Sequence, residues 1–115
     1  MTESSLDIEV QTFRRADMVT VAGRVDSNTA SELDQALKQV MDGGRHNLIV
    51  NLAGVNYLSS AGLRSLVAAL RECKRQRGDV LLVSPSERVL EVLRLAGLDT
   101  LFTFYDDETE AVGSF

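Results

Sequence analysis

The chain has 115 residues, of which 44% are hydrophobic and 25% charged, as in one folded domain and unlike a disordered or fibrous segment. Its formal net charge of -5 at pH 7 argues against nucleic acid or an anionic membrane as the main partner. We therefore expect a single domain over residues 1–115, with residues 1–5 as a flexible N-terminus.

The sequence carries no signal for a membrane, an export pathway or a metal. No apolar stretch approaches the roughly 20 residues of a membrane-spanning helix, and residues 1–7 lack the basic and apolar regions of a secretory signal. We expect a cytoplasmic protein without membrane insertion. The single cysteine, Cys73, excludes an internal disulfide, and His46 is the only histidine, so no zinc site is recognisable. No metal and no cofactor are expected.

The opening part of the chain predicts a β-hairpin. Residues 6–10 alternate between apolar and polar side chains, which is typical of a half-buried strand, and residues 18–22 predict a second strand. Residues 14–17, three of which are charged, would form a polar connection between the two strands. Gly23 is expected to end the second strand.

A first helix is predicted to begin at Thr29. Thr29 and Glu32 have the spacing of a capping box, in which each side chain accepts a hydrogen bond from the other residue's backbone amide. The helix is expected to stop at Gly43-Gly44. Its apolar stripe is formed by Ala30, Leu33, Leu37, Val40 and Met41.

The middle of the chain predicts a central strand and a second helix. Residues 47–52 contain consecutive apolar positions, as expected of a strand that is covered on both faces. Residues 53–58 are predicted to form a loop. A helix with a basic last turn should run from about Ser60 to just before Gly78. Its apolar positions are Leu63, Leu66, Val67 and Leu70.

A third helix has a well-marked start. Residues 79–83 predict a strand, after which Ser84 is expected to cap the helix. Pro85 would take the first helical position and Glu87 the third position after the cap. Gly97 is expected to end this helix.

Residues 101–105 predict a short edge strand, and the acidic tail after Asp106 predicts one marginal helical turn. The order of elements is therefore β-β-α-β-α-β-α-β with a final short α. We predict an α/β fold whose mixed sheet has four to five strands, an opening β-hairpin and flanking helices.

The residues argue against an enzyme. Gly43-Gly44 lies at a helix end and lacks the Lys and hydroxyl residue of a phosphate-binding loop. Ser59 and Ser60 have no general base in the sequence other than His46, which is expected to be a surface residue.

The start of the second helix is one candidate site. A serine there can act as an N-cap, which is sufficient to explain either Ser59 or Ser60. The small residues Ala61 and Gly62 would also leave the helix start open to another molecule. The helix dipole would favour an added anion at this end.

The segment before the first helix is the second candidate. A turn with a cap explains Thr29 and Glu32 but gives Asp26 no structural role. If the strands that precede the two helices are neighbours, the helix starts share one edge of the sheet. Asp26, Asn28 and Ser60 would then form one polar patch.

Two motifs carry a family resemblance: residues 23–30, Gly-Arg-Val-Asp-Ser-Asn-Thr-Ala, and residues 59–63, Ser-Ser-Ala-Gly-Leu. With these motifs in order, the chain resembles the STAS domains, specifically the stand-alone bacterial anti-sigma factor antagonists, over nearly its whole length. The resemblance implies a binding protein without catalytic activity. Such antagonists bind an anti-sigma factor that is also a serine kinase, and thereby free a sigma factor. Phosphorylation of a serine at the start of the second helix ends the binding, and a metal-dependent serine phosphatase restores it.

The resemblance assigns roles to individual residues. Ser60 matches the phospho-acceptor, and Ser59, which replaces the Asp that usually precedes it, becomes a secondary acceptor. Arg64 replaces a residue that is often small, and Asp26 matches an acidic residue that contacts the kinase. The implied partner-binding residues are Asp26, Ser27, Asn28, Thr29, Ser59, Ser60, Ala61, Gly62, Leu63 and Arg64.

Two other functions remain open from the sequence. STAS-like proteins also serve as accessory subunits of lipid or anion transporters, in which case the same surface would contact a transporter ATPase. A scaffold subunit of a sensor complex is the third alternative.

Overall fold

The structure is a computed structural model, and it describes residues 5–115. These residues form five strands and four helices. The strands are β1 (Asp7–Thr12), β2 (Asp17–Val25), β3 (Asn47–Leu58), β4 (Asp79–Val83) and β5 (Thr103–Tyr105). The helices are α1 (Ala30–Asp42), α2 (Ser60–Arg75), α3 (Glu87–Leu95) and α4 (Glu108–Gly113).

The strands lie in one sheet in the order β1-β2-β3-β4-β5. β1 pairs with β2 antiparallel, and the remaining pairs are parallel. The predicted α/β fold with a mixed sheet and an opening hairpin is therefore confirmed. The N-terminus, residues 1–5, was predicted to be flexible. Of these, residues 1–4 lie outside the described residues.

The two faces of the sheet carry different layers. Alternating residues of the central strands, such as Val19, Leu48 and Leu82, are buried against the apolar sides of α1, α2 and α3. The residues between them, such as Met18 and Ile49, form a smaller cluster with α4 on the opposite face. The three longer helices thus cover one face, and the short C-terminal helix covers part of the other.

A buried amide attaches α4 to the sheet. Asn51 in β3 is 7% exposed and donates a hydrogen bond from Nδ2 to Oε2 of Glu108 in α4. Its Oδ1 accepts a hydrogen bond from the amide of Ala53, 2.9 Å away. Because both polar ends of the side chain are used, burial of this amide costs little.

The two central strands are longer than predicted. β2 does not end at Gly23 but continues to Val25, and residues 53–58 are not a loop but the second half of β3. Gly23 has φ of 120°, and the β2–β3 register shifts on each side of it. These irregularities interrupt the apolar alternation on which the sequence-based prediction depended.

One of the predicted helix starts, that of α3, is displaced. Ser84 does not cap α3, because its φ is 55° and its hydroxyl donates to the carbonyl of Asp106, 3.0 Å away. The cap is Ser86, whose Oγ accepts from the amide of Val89 at 3.2 Å. α3 therefore begins two residues later than the Ser-Pro sequence indicated.

The predicted end of α3 is confirmed. Gly97 follows the helix with φ of 74°, a conformation that glycine adopts without steric cost. The amide of Leu98 then donates to the carbonyl of Leu93 at 2.8 Å, and that of Gly97 donates to Arg94 at 2.9 Å. This pair of bonds is the Schellman motif.

Cys73 on α2 faces the main core and has no exposed surface. Burial raises the pKa of its thiol to about 11, and the nearby carboxylates of Glu72 and Asp79 act in the same direction. The thiol is therefore neutral at physiological pH.

Within residues 5–115, none of the helices combines the length and the apolar composition that crossing a bilayer requires.

Candidate functional site

The ends of β2 and β3 bring the two predicted helix starts together. Val25 and Leu58 are partners in the parallel register at the carboxyl ends of these strands. The amide of Ser59 donates to the carbonyl of Val25 at 2.8 Å, which joins the start of α2 to the β2–α1 loop. The predicted common edge of the two helix starts is confirmed.

The β2–α1 loop is organised by Asp26. Its Oδ1 accepts hydrogen bonds from the amides of Asn28 at 2.9 Å and Thr29 at 3.1 Å. The prediction that a turn and cap leave Asp26 without a structural role is therefore wrong, since its carboxylate closes the turn.

Thr29 is not the side-chain cap of α1. Its hydroxyl is buried, donates to the carbonyl of Arg24 at 2.7 Å and accepts from the amide of Asp26 at 2.9 Å. Glu32 also has a different partner, because its Oε1 accepts a hydrogen bond from the amide of Leu6 at 2.9 Å. The predicted capping box is wrong, because both side chains form hydrogen bonds with backbone groups outside the first turn of α1.

The carboxylate of Asp26 is held in its charged form. The hydrogen bond from the Asn28 amide is the largest influence that lowers its pKa, and the hydrogen bonds from Thr29 and the charge of Arg24 act in the same direction. Arg24 Nε lies 3.4 Å from Asp26 Oδ2. Ser27 and Asn28, the two residues that follow Asp26 in the loop, are exposed.

The two serines at the start of α2 have different positions. Ser59 is the N-cap, and its Oγ accepts from the amide of Gly62 at 3.2 Å. Ser60 is the first helical residue, and its side chain is exposed. Of the N-cap alternatives that the sequence left open, the structure selects Ser59 and leaves Ser60 exposed.

Gly62 faces the chain's own sheet. A Cβ at this position would lie 2.7 Å from both Leu58 Cδ1 and Val25 Cγ1. The expectation that Gly62 opens the helix start to another molecule is therefore wrong, because the ends of β2 and β3 fill that space. Leu63 is 8% exposed, whereas Arg64 is exposed.

The sequence assigned no role to Arg24, which lies in the candidate segment, and did not point to Tyr57. The two residues are partners in the β2–β3 register, and the Arg24 guanidinium lies 3.9 Å from the centroid of the Tyr57 ring. This stacking places a cation beside Asp26. The sequence did not indicate this contact, because residues 53–58 were predicted to form a loop and Tyr57 was therefore not placed in a strand beside β2.

Residues 7–111 match the family model of the STAS domain, and the chain belongs to this family. One relative, named anti-sigma-B factor antagonist, from Staphylococcus epidermidis, is 30% identical over 98 residues, which are 84% of this chain and 91% of the relative. The family to which the sequence motifs pointed is confirmed.

Solved structures agree. An anti-sigma factor antagonist from Mycobacterium paratuberculosis has a TM-score of 0.85 at 27% identity, covering 95% of this chain and 92% of its own. The Bacillus cell fate determinant SpoIIAA, in its phosphorylated form, shares the fold with a TM-score of 0.74 at 18% identity, with 94% of this chain and 98% of that chain covered.

Proposed function

We propose that this protein is an anti-sigma factor antagonist: it binds an anti-sigma factor with serine kinase activity and so releases a sigma factor for transcription. It acts in the cytoplasm, as a binding protein without catalytic activity of its own. The relative from Staphylococcus epidermidis and the structure from Mycobacterium paratuberculosis, both named as antagonists, support this function over that of a transporter subunit.

The proposed contact surface is the edge where the β2–α1 loop meets α2. It comprises the exposed residues Ser27, Asn28, Ser60 and Arg64, together with the half-buried Asp26. Less exposed residues lie under this surface. Three of them are buried, Thr29, Gly62 and Leu63, and two are half-buried, Ser59 and Ala61.

Ser60 is the proposed phospho-acceptor. The observation that carries this assignment is the different position of the two serines, because Ser59 Oγ is engaged as the cap whereas Ser60 is exposed. Phosphorylation would end partner binding, and a serine phosphatase would restore it.

The added phosphate would act through the interface. It carries about -1.5 to -2 charges at neutral pH, which the positive end of the α2 dipole accommodates within the protein. A partner surface shaped for a neutral hydroxyl would meet both steric overlap and a charge that it must desolvate. The fold therefore survives while the complex dissociates.

The test is a phosphorylation assay with purified components. Each anti-sigma factor kinase encoded in the source genome is incubated with this protein and ATP, and the phosphopeptides are identified by mass spectrometry. We expect one kinase to bind the protein and to place phosphate on the peptide of residues 58–64, at Ser60. Ser60→Ala should abolish this product and Ser59→Ala should retain it. Phosphate confined to Ser27, Thr29 or Ser59, or no binding by any of these kinases, would contradict the proposal.

A further inference from the structure

A groove continues from Ser60 along the outer side of α2. Its volume is about 520 Å³. The floor is apolar and consists of Leu63, Val67 and Ala68 of α2, closed by Leu98 after the end of α3. We call it the α2 groove. It starts inside the proposed contact surface and extends beyond it.

Two arginines border the α2 groove. Arg64 and Arg71 both line it, are exposed, and lie two helical turns apart, about 10 Å along the axis. Neither belongs to any of the ion pairs found among residues 5–115. In a chain of net charge -5, this groove is thus an apolar floor between two cations that make no ion pair among the described residues.

The second groove on this side of the protein has the opposite character. It lies between α1 and α2 and has a volume of about 480 Å³. Five charged residues line it, and four of them are paired within the protein, Asp34 with Lys38 and Glu72 with Arg75. The fifth, Asp42, is an acid. Both of its cations are thus already paired, so charge complementarity to a carboxylate favours the α2 groove.

From these observations we propose that the α2 groove is the docking site for a segment of the anti-sigma factor kinase in which an apolar side chain is flanked by carboxylates. The apolar side chain lies on the floor at Val67 and Leu98, and the carboxylates pair with Arg64 and Arg71. This inference rests on the proposed function and deepens it, because it extends the interface about 16 Å from Ser60 to Arg71 along α2.

The placement of Arg64 also links docking to the switch. Ser60 and Arg64 are four residues apart on one helix, so a phosphate on Ser60 is within reach of the guanidinium. The phosphate then competes with the partner's carboxylate for Arg64. Phosphorylation thereby removes one of the two charge contacts that hold the segment in the groove.

Arg71 gives the sharpest test because it lies outside the proposed contact surface and is exposed. The matched control is Arg15, an exposed residue of the β1–β2 turn whose carbonyl accepts from Asn47 at the opposite end of β3. The probe is the kinase that phosphorylates the unaltered protein in the assay above. Affinity for its nucleotide-bound form is measured by calorimetry at low and high salt for Arg71→Gln, Arg71→Glu, Arg15→Gln and Arg15→Glu.

We expect Arg71→Glu to weaken binding about tenfold at low salt, Arg71→Gln to weaken it about threefold, and both Arg15 variants to change it less than about twofold. The loss should shrink at high salt. In the kinase assay, Arg71→Glu should raise KM for this protein with kcat nearly unchanged, since the residue positions the substrate far from the transferred phosphoryl group. Denaturant unfolding checks that all four variants remain folded.

The outcomes separate this inference from the proposed function. If the unaltered protein binds and is phosphorylated, but the Arg71 and Arg15 variants behave alike, the docking site is wrong and the antagonist function stands. A fall in kcat without a change in KM would also overturn it. If no kinase binds the unaltered protein, both proposals fail together.

Discussion

At the scale of single residues, two adjacent serines with the same chemistry have different surroundings. Ser59 stabilises the first turn of α2 through its bond to the Gly62 amide, while Ser60 is exposed. A sequence comparison alone assigns both to the same motif. The hydrogen bond distinguishes them, and it makes their substitutions separable.

We expect Ser59→Ala to lower the free energy of unfolding by about 1 kcal/mol, because the Gly62 amide loses its acceptor. Ser60→Ala should change it by less than about 0.5 kcal/mol, since an exposed first-turn hydroxyl makes no cap. Urea unfolding of both variants measures the difference. Equal losses, or a larger loss for Ser60→Ala, would mean that the cap is misassigned.

Asp26 has a structural task and a pH signature. Its pKa lies below the ordinary 3.8, first because of the Asn28 amide, so its stabilising contribution is complete above that value and is lost as the pH falls through the folded-state pKa. We expect Asp26→Ala to be less stable than Asp26→Asn, because asparagine retains the acceptor oxygen for the turn.

The measurement is the urea midpoint of the unaltered protein and both variants between about pH 6 and about pH 3. The advantage of the unaltered protein over Asp26→Asn should shrink towards the acid end. An advantage that is constant with pH would show that the charge of this carboxylate does not stabilise the fold.

At the scale of elements, the position of α2 depends on the close approach of Gly62 to the ends of β2 and β3. Gly62→Ala should place a methyl group 2.7 Å from Leu58 Cδ1 and Val25 Cγ1. We expect a loss of about 1 to 2 kcal/mol, because overpacking outweighs the better helix propensity of alanine.

Gly113→Ala is the matched control for this substitution. Among residues 5–115, and apart from its own helical turn, a Cβ at Gly113 in α4 meets no atom within 4 Å, so this variant should be neutral or slightly stabilised. Thermal and urea unfolding compare the two variants. A Gly62→Ala protein as stable as the Gly113→Ala protein would contradict the tight junction.

The order of elements could be predicted from the sequence because apolar periodicity and glycines mark them clearly. Their boundaries could not, wherever a side chain had several acceptors or donors to choose from. Thr29 has the sequence position of a capping residue, but its hydroxyl forms hydrogen bonds with the backbone of Arg24 and Asp26. Ser84 precedes Pro85 as a capping serine would, but the side chain that caps α3 is that of Ser86. The local sequence identifies candidate capping residues, and tertiary contacts determine which of them forms the cap.

The same limit applies to the candidate site. The neighbouring helix starts followed from the order of the strands, so Asp26 and Ser60 could be placed at one edge. The Arg24–Tyr57 stacking could not, because it depends on a strand pairing that extends past Gly23. The α2 groove needs Leu98, which reaches it only through the turn that ends α3.

At the scale of the whole molecule, the sheet and its helices are expected to remain unchanged when the proposed switch operates. Ser60 is exposed at the first position of α2, where the helix dipole favours a negative charge. Binding and folding should therefore respond independently to a charge at Ser60.

We expect Ser60→Asp to raise the free energy of unfolding by about 0.3 to 1 kcal/mol, because a negative charge interacts favourably with the helix N-terminus. The same variant should bind the kinase more weakly than Ser60→Ala, though only partly like the phosphoprotein. Calorimetry and urea unfolding of both variants test this independence. Full affinity in Ser60→Asp, or a loss of affinity explained by unfolding, would refute the electrostatic switch.

The buried thiol of Cys73 makes this chain a convenient carrier for a fluorescent label. It is the only cysteine of the sequence, and its inaccessible, neutral thiol should not react with a maleimide dye in the native protein. In Arg15→Cys, a dye should attach only at the hairpin turn, remote from the proposed interface, and mass spectrometry should find one label. Rapid labelling of the unaltered native protein would reveal an opening of α2 from the sheet. Otherwise, dye polarisation reports partner exchange in real time without a cysteine-free background.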